Sequence, residues 1–349
     1  MKRSKTKRAS SGVRSGITAA GNWIRDHVKT VDAWPAQDAL ANILGHTVAN
    51  GGGPYNVLKD LSKLGASFPL VAIGNVGNDA DGESILEECR DLGIDTRQLR
   101  GVKGLPTSTT DVMSVVGTGR RTFFHDRGAN AVLGPGDIDL AGSRSRIFYL
   151  GYLLLLDTLD APGRDGAPAA RAVLRHARAT GHRTAVDCVS AEKARFKEVV
   201  VPVLPEVDVL FVNDYEAEQV SGIAVGRGAA LDRKAVESAA RSLLAMGVRQ
   251  WVVVHFPEGA CACSPDGSAF WRASVAIPGN EIKGTAGAGD AFAAGVLYGL
   301  HEAWDMGRCL ELGVCAAAAS LRHPTCSESV PSRSRCLSLG KAWGYRSLP

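Results

Sequence analysis

The sequence contains no G-x-x-x-x-G-K-[ST], no H-E-x-x-H and no G-x-S-x-G. A Walker-type phosphate loop, a helical zinc-protease site and a nucleophile elbow are therefore not supported. The G-x-G triplets at Gly51, Gly117, Gly134, Gly226 and Gly287 each lack the third glycine of a dinucleotide-binding turn. Eight cysteines are present without a C-x-x-C or a cysteine–histidine cluster at zinc spacing, and the single C-x-C pair is Cys261 and Cys263. That usage predicts buried thiols in a reduced cytoplasm. The longest apolar run, Ile147 to Leu156, is about half the ~20 residues that span a bilayer, so it predicts a buried strand and no membrane partner. Acids are missing from the first fourteen residues, which hold Lys2, Arg3, Lys5, Lys7, Arg8 and Arg14. No apolar stretch follows them as in a secretory signal, and residues 1–16 are expected to be a disordered basic tail. With much of the +4 formal charge in that tail, the remainder is close to neutral. Nucleic-acid binding is not expected of it.

What the chain has is glycine and apolar surface: 40 glycines, 45% hydrophobic and 22% charged residues in 349. These suit a turn-rich globular enzyme with a substantial core. Strand, loop and helix alternate from Ser15 onward, the signature of a βαβ sheet. Central strands are expected at Phe68–Val76, Ile147–Leu156, Arg183–Asp187, Val207–Asn213 and Gln250–His255. Helices are expected at Gly82–Leu92, Ala167–Thr180, Glu216–Val220 and Asp232–Met246, with two more between His301 and Leu321. Thr325 to Pro349 shows little periodicity. Two stretches break the rhythm, about 23–48 and 106–125, and read as β-structure. They are expected to form one small sheet over a main domain running from 17 to 349.

Polar residues gather where strands end: Asp26, Asn56, Asn130, Asp187, Asn213, Glu216 and Asp290. In an open parallel sheet these ends hold the ligand. Two glycine-rich joints stand beside them. One is Gly51-Gly52-Gly53-Pro54-Tyr55-Asn56; the other is Gly284-Thr285-Ala286-Gly287-Ala288-Gly289-Asp290. Small residues let backbone N–H groups approach an anion, and a helix starting near Gly287 aims its positive end there. Asp290 fits a base that takes a proton from an attacking hydroxyl; as a residue type in this place it fits a helix-capping acid equally well.

Gly284 to Phe292, with Gly52 to Val57 upstream, resembles the two signatures of the ribokinase-like (PfkB) carbohydrate kinase family. Gly77-Asn78-Asp79, Arg127-Gly128-Ala129-Asn130 and Asn213-Asp214-Tyr215-Glu216 fall in the same order, and the likeness covers about residues 17–323. It implies a doubly wound, mostly parallel sheet flanked by helices, with a small β-sheet lid. It also implies transfer of ATP's γ-phosphate to a primary hydroxyl of a sugar or polyol. By position, Asp290 matches the general base, and Thr285 with Gly287, Ala288 and Gly289 the anion hole. Asp26, Gly52, Gly53, Asn56, Arg127 and Asn130 match the acceptor side. Asn213, Glu216, His255 and Gly259 match the nucleotide side, with Glu216 holding Mg²⁺ through water. Gly284 stands where the family usually has Asp, so dependence on a monovalent cation is not implied. The same fold also serves nucleoside kinases, whose base needs a wall that Trp23, Phe123 and Phe124 offer, and a non-catalytic sugar-binding or regulatory relative is a third reading. Exposed β edges on the lid suggest a homodimer.

Overall fold

The computed structural model describes residues 13–117 and 121–348. The basic tail up to residue 12 and the Gly117-Thr118-Gly119 turn beyond Gly117 lie outside them. The described residues build a nine-stranded sheet and a separate four-stranded one.

In chain order the large sheet contains β1 (Ile17–Gly21), β4 (Leu70–Gly77), β5 (Asp95–Val102), β8 (Ile147–Leu153), β9 (Arg183–Cys188), β10 (Val209–Asn213), β11 (Trp251–Phe256), β12 (Gly259–Cys263) and β13 (Ala269–Ala273). Their spatial order is β13-β12-β11-β10-β9-β8-β1-β4-β5. Every pair from β5 to β11 is parallel, and β12 and β13 add an antiparallel edge. The helices are α1 (Gly53–Lys63), α2 (Ala80–Asp91), α3 (Ala169–Ala179), α4 (Asp214–Ser221), α5 (Arg233–Ala245), α6 (Ala288–His301), α7 (Met306–Ser320) and α8 (Arg333–Trp343), together with shorter turns.

Both faces of the sheet are covered. Alternate strand residues enter opposite cores: Ile17, Tyr149 and Phe211 pack with α1, α6 and α7, whereas Phe148, Leu150 and Leu210 pack with α3 and α5. The chain reverses its winding at β1, which lies between β4 and β8. There Gly21 is in register with both Gly74 and Gly151, leaving a crevice beyond the strand ends.

The small sheet has the order β3-β2-β6-β7, from β2 (Ile24–Val31), β3 (Ile43–Gly51), β6 (Ser108–Val115) and β7 (Arg121–Asp126). The residues of 23–48 and 106–125 thus meet in one sheet, which stands over the crevice. Some elements differ from expectation. His301 is the last residue of α6, so the stretch to Leu321 holds one helix, α7. The aperiodic C-terminal region contains α8, and β5 lies where no element was expected.

Candidate active site

Beyond the carboxyl ends of the strands lies a cavity of about 860 Å³. Its floor comes from β8 to β11, its roof from β2, β6 and β7, and one wall from residues 282–290 and 324–326. A second cavity of about 540 Å³ sits near Ser15, Arg97 and Arg144 and holds none of the expected site residues.

Asp290 lies in the first turn of α6 and is only 5% exposed. Gly287 precedes the helix at φ 72°, a conformation that favours glycine, and a Cβ there would come within 2.7 Å of Cys326. No side chain among the described residues caps α6. Its first N–H groups are left for a ligand, and Gly287, Ala288 and Gly289 line the cavity beside them. Gly289 also allows the helix to approach His255: a Cβ at Gly289 would lie 3.3 Å from the ring.

Asn56 donates from Nδ2 to Asp290 Oδ2 at 2.8 Å. Its own Oδ1 has no partner among the described residues and remains free to accept a hydroxyl. The glycines before it are there for space. A Cβ at Gly52 would lie 2.2 Å from the Asn22 carbonyl oxygen, and one at Gly51 2.1 Å from Asp26 Oδ2. Burial pushes the Asp290 carboxyl up to about 6 against the pull of its hydrogen bonds from Tyr152 and Asn56. Asp26 is pushed up to about 7, mainly by burial, with the charge of Asp290 adding to it.

On the other side, Asn213 and Glu216 form a reciprocal cap on α4. The Glu216 N–H donates to Asn213 Oδ1 at 2.8 Å, and the Asn213 N–H to Glu216 Oε2 at 2.9 Å. Ser190 donates to Glu216 Oε1 at 2.8 Å. Glu216 and Asp187 are both buried, and the charge of Glu216 adds to the burial that raises Asp187. Two acids so placed suit a hard divalent cation that keeps most of its other ligands as water or phosphate oxygen. No group of three or more His, Cys, Asp or Glu forms a cage for a metal among the described residues. His255 is paired in register with Asn213, and burial pulls its ring down to about 4, so it is neutral.

Asp26, Gly52, Asn56, Asn213, Glu216, His255, Thr285 and Gly287 to Asp290 therefore meet in one cavity. Four expected residues do not line it. Asn130 is fully buried and clasps the backbone of Trp23, accepting from its N–H at 3.2 Å and donating to its carbonyl at 3.0 Å. Arg127 pairs with Asp157 at 3.4 Å. Gly259 belongs to β12, where a Cβ would strike the Arg272 carbonyl, and Gly53 packs against the Tyr152 ring. Sequence reasoning passed over Tyr152, whose hydroxyl reaches Asp290 Oδ1 at 2.7 Å and Oδ2 at 2.8 Å. Its signal was a phenol inside an apolar run, since a buried tyrosine hydroxyl needs a partner. It also passed over Arg121, which donates from β7 to the Thr285 hydroxyl and so ties the small sheet to the glycine-rich loop.

The family model described as pfkB family carbohydrate kinase matches residues 17–333. The chain belongs to this family. The pfkB kinase is 28% identical over 294 residues to a 5-dehydro-2-deoxygluconokinase of Clostridium perfringens, covering 81% of each chain. The structure of Arabidopsis thaliana ribokinase complexed with ribose and ATP superposes with a TM-score of 0.76 at 20% identity, covering 94% of this chain and 99% of that one. A nucleoside kinase of Methanocaldococcus jannaschii superposes with a TM-score of 0.72 at 16% identity, covering 95% and 100%. The ribokinase-like fold is shared with these two structures, and this pfkB kinase is a carbohydrate phosphotransferase. No described helix is long and apolar enough to cross a membrane.

Proposed function

We propose that this chain is an ATP-dependent, Mg²⁺-requiring kinase that phosphorylates a primary hydroxyl of a sugar or related polyol in the cytoplasm, with Asp290 as general base. The observation that carries the reading is the pairing of a buried carboxylate with the uncapped start of its own helix. A proton acceptor and an anion site stand within one helical turn. When bound, ATP supplies the phosphoryl group and Mg²⁺ offsets its charge. Asp290 accepts the proton of the acceptor hydroxyl, while the N–H groups from Gly287 onward offset charge growing on the phosphoryl oxygens. Asn56 Oδ1 and Asp26 accept from other acceptor hydroxyls, and Glu216, Asp187 and Asn213 stand on the metal side. Closure of the small sheet through Arg121 and Thr285 excludes water from the transfer.

A sugar fits better than a nucleoside. Of the three aromatics that would wall a base, only Phe123 lines the cavity. Trp23 is wholly buried, donating to the Ile73 carbonyl at 2.9 Å, and Phe124 stacks on Trp34. Arg121 and Lys283 also line the cavity and offer partners to phosphate or to an acceptor carboxylate. Sugar acids therefore belong in the screen, 5-dehydro-2-deoxygluconate among them. A Cβ at Gly284 would lie 2.8 Å from the His323 carbonyl oxygen, so no larger residue is accommodated there without movement. Turnover is expected to be unchanged when potassium is replaced by tetramethylammonium, and strong potassium activation would oppose this. The function itself is tested by ATP consumption across pentoses, hexoses, polyols, sugar acids and nucleosides. Turnover confined to nucleosides would refute the acceptor class.

A further inference from the structure

Tyr152 belongs to β8 and reaches Asp290 on the catalytic helix. Its backbone N–H donates to Asn22 Oδ1, and its ring lies against Gly53, where a Cβ would come within 2.9 Å of Cε1. The seat exists because residue 53 has no side chain. From it the phenol bridges both oxygens of Asp290, at 2.7 and 2.8 Å, while Asn56 holds Oδ2 at 2.8 Å. A carboxylate offers about four lone-pair directions. Tyr152 shares its single O–H proton between the two oxygens and Asn56 adds a second donor on Oδ2, so Oδ1 keeps an open direction.

We propose that Tyr152 is the positioning residue of Asp290: with Asn56 it fixes the carboxylate plane, keeps the group ionised and leaves one Oδ1 direction to the attacking hydroxyl. The role in transfer rests on the kinase reading. In that reaction the acceptor O–H bond breaks and its proton passes to Oδ1 as the new O–P bond forms. The bond from the γ-phosphorus to the bridging oxygen breaks, and its electron pair leaves on ADP. Tyr152 keeps its own proton throughout, because burial and the Asp290 charge raise the phenol well above its ordinary range.

The surroundings make this help necessary. The titratable groups facing Asp290 are Asp60 of α1, Asp26 of β2, Tyr149 of β8, Asp187 of β9 and Cys326 after α7, with Arg121 of β7 near Cys326 and His255 of β11 beside the neighbouring Gly289. None of them donates a hydrogen bond to Asp290 among the described residues; its two donors are the neutral Tyr152 and Asn56. Burial favours the protonated base, and the two neutral donors oppose it.

The test is a carboxyl titration of the full chain labelled with ¹³C-aspartate, with the Asp290 signal identified by its loss in Asp290→Asn. Tyr152→Phe keeps the ring and removes the hydroxyl, and the midpoint is expected to rise by about 1 to 2 pH units. Gly53→Ala, which pushes the ring from its seat, is expected to move the midpoint the same way. Tyr149→Phe is expected to leave it in place. An unchanged midpoint in Tyr152→Phe, or an equal rise in Tyr149→Phe, would overturn the proposal. The acid limb of kcat/KM is expected to follow the titration, with Tyr152→Phe regaining turnover at higher pH; a loss uniform across pH would overturn the positioning role. If the wild type phosphorylates no acceptor, the kinase reading fails, while the titration still decides whether Tyr152 holds Asp290 ionised.

Discussion

Asp290 occupies a place where its charge is costly. Its ordinary carboxyl value of 3.8 rises to about 6 through burial, so the folded chain holds that proton more tightly than the unfolded chain does. Stability is then lost as pH rises from about 3.8 to about 6, and the full cost, about 3 kcal/mol, is present above that window. Asp290→Asn is accordingly expected to unfold at higher denaturant concentration than wild type at pH 7.5 and at the same concentration below pH 4. Equal midpoints at both pH values would contradict this. The same substitution is inactive on the present account, a trade expected of functional acids. At this scale the sequence was informative where chemistry needs a rare residue in a constrained backbone. Asp290, Asn56 and the glycines around them were legible for that reason. Tyr152 was not, because its role depends on a hydroxyl meeting a carboxylate 138 positions away.

Elements set the precision of the site. α6 and α7 cross where Gly295 faces Gly313, and a Cβ on Gly295 would sit 2.8 Å from the Gly313 backbone. Gly295→Val is expected to destabilise the fold by about 1 to 3 kcal/mol through overpacking and to lower kcat by tilting the helix that carries Asp290. Thermal unfolding and turnover measured on one preparation check it, and a wild-type value in both would contradict it. Asn130 belongs to another element contact, between the turn after β7 and the start of β2. Loss of its two buried bonds to Trp23 in Asn130→Ala is expected to cost about 2 to 4 kcal/mol while leaving acceptor KM unchanged in the folded fraction. A large rise in KM with normal stability would return Asn130 to the acceptor site.

Most central elements were legible because strands buried on both faces read as apolar runs and helices between them show a clear period. β5, with the sequence Asp-Thr-Arg-Gln-Leu-Arg-Gly-Val, has only Leu99 buried and offers no alternation to detect. α8 buries only Cys336 and Gly340, so its amphipathic signal is weak and tertiary packing on α7 determines it. Periodicity reports burial, and lightly buried elements report little.

Across the whole molecule, the small sheet is roof and exposed edge together. Among the described residues β3 pairs only with β2, and Ile43 and Leu44 on it are 58% and 60% exposed. We propose that a second copy covers this edge. Light scattering is expected to give about twice the 36.7 kDa chain mass, and Ile43→Lys with Leu44→Lys to return the monomer; a wild-type monomer at micromolar concentration would oppose it.

The doubly wound order and the roof over the strand ends follow from patterns spread along the chain, whereas the acceptor depends on where a few hydroxyl partners stand in space. Direct evidence must come from phosphoryl transfer itself. The measurement is ATP consumption by wild type and Asp290→Ala across the acceptor panel, with acceptor binding followed by calorimetry. Turnover with one or more sugars or sugar acids is expected in the wild type, with a fall of about 10³-fold or more in kcat for Asp290→Ala and nearly unchanged acceptor affinity. Near-wild-type turnover in Asp290→Ala would contradict this.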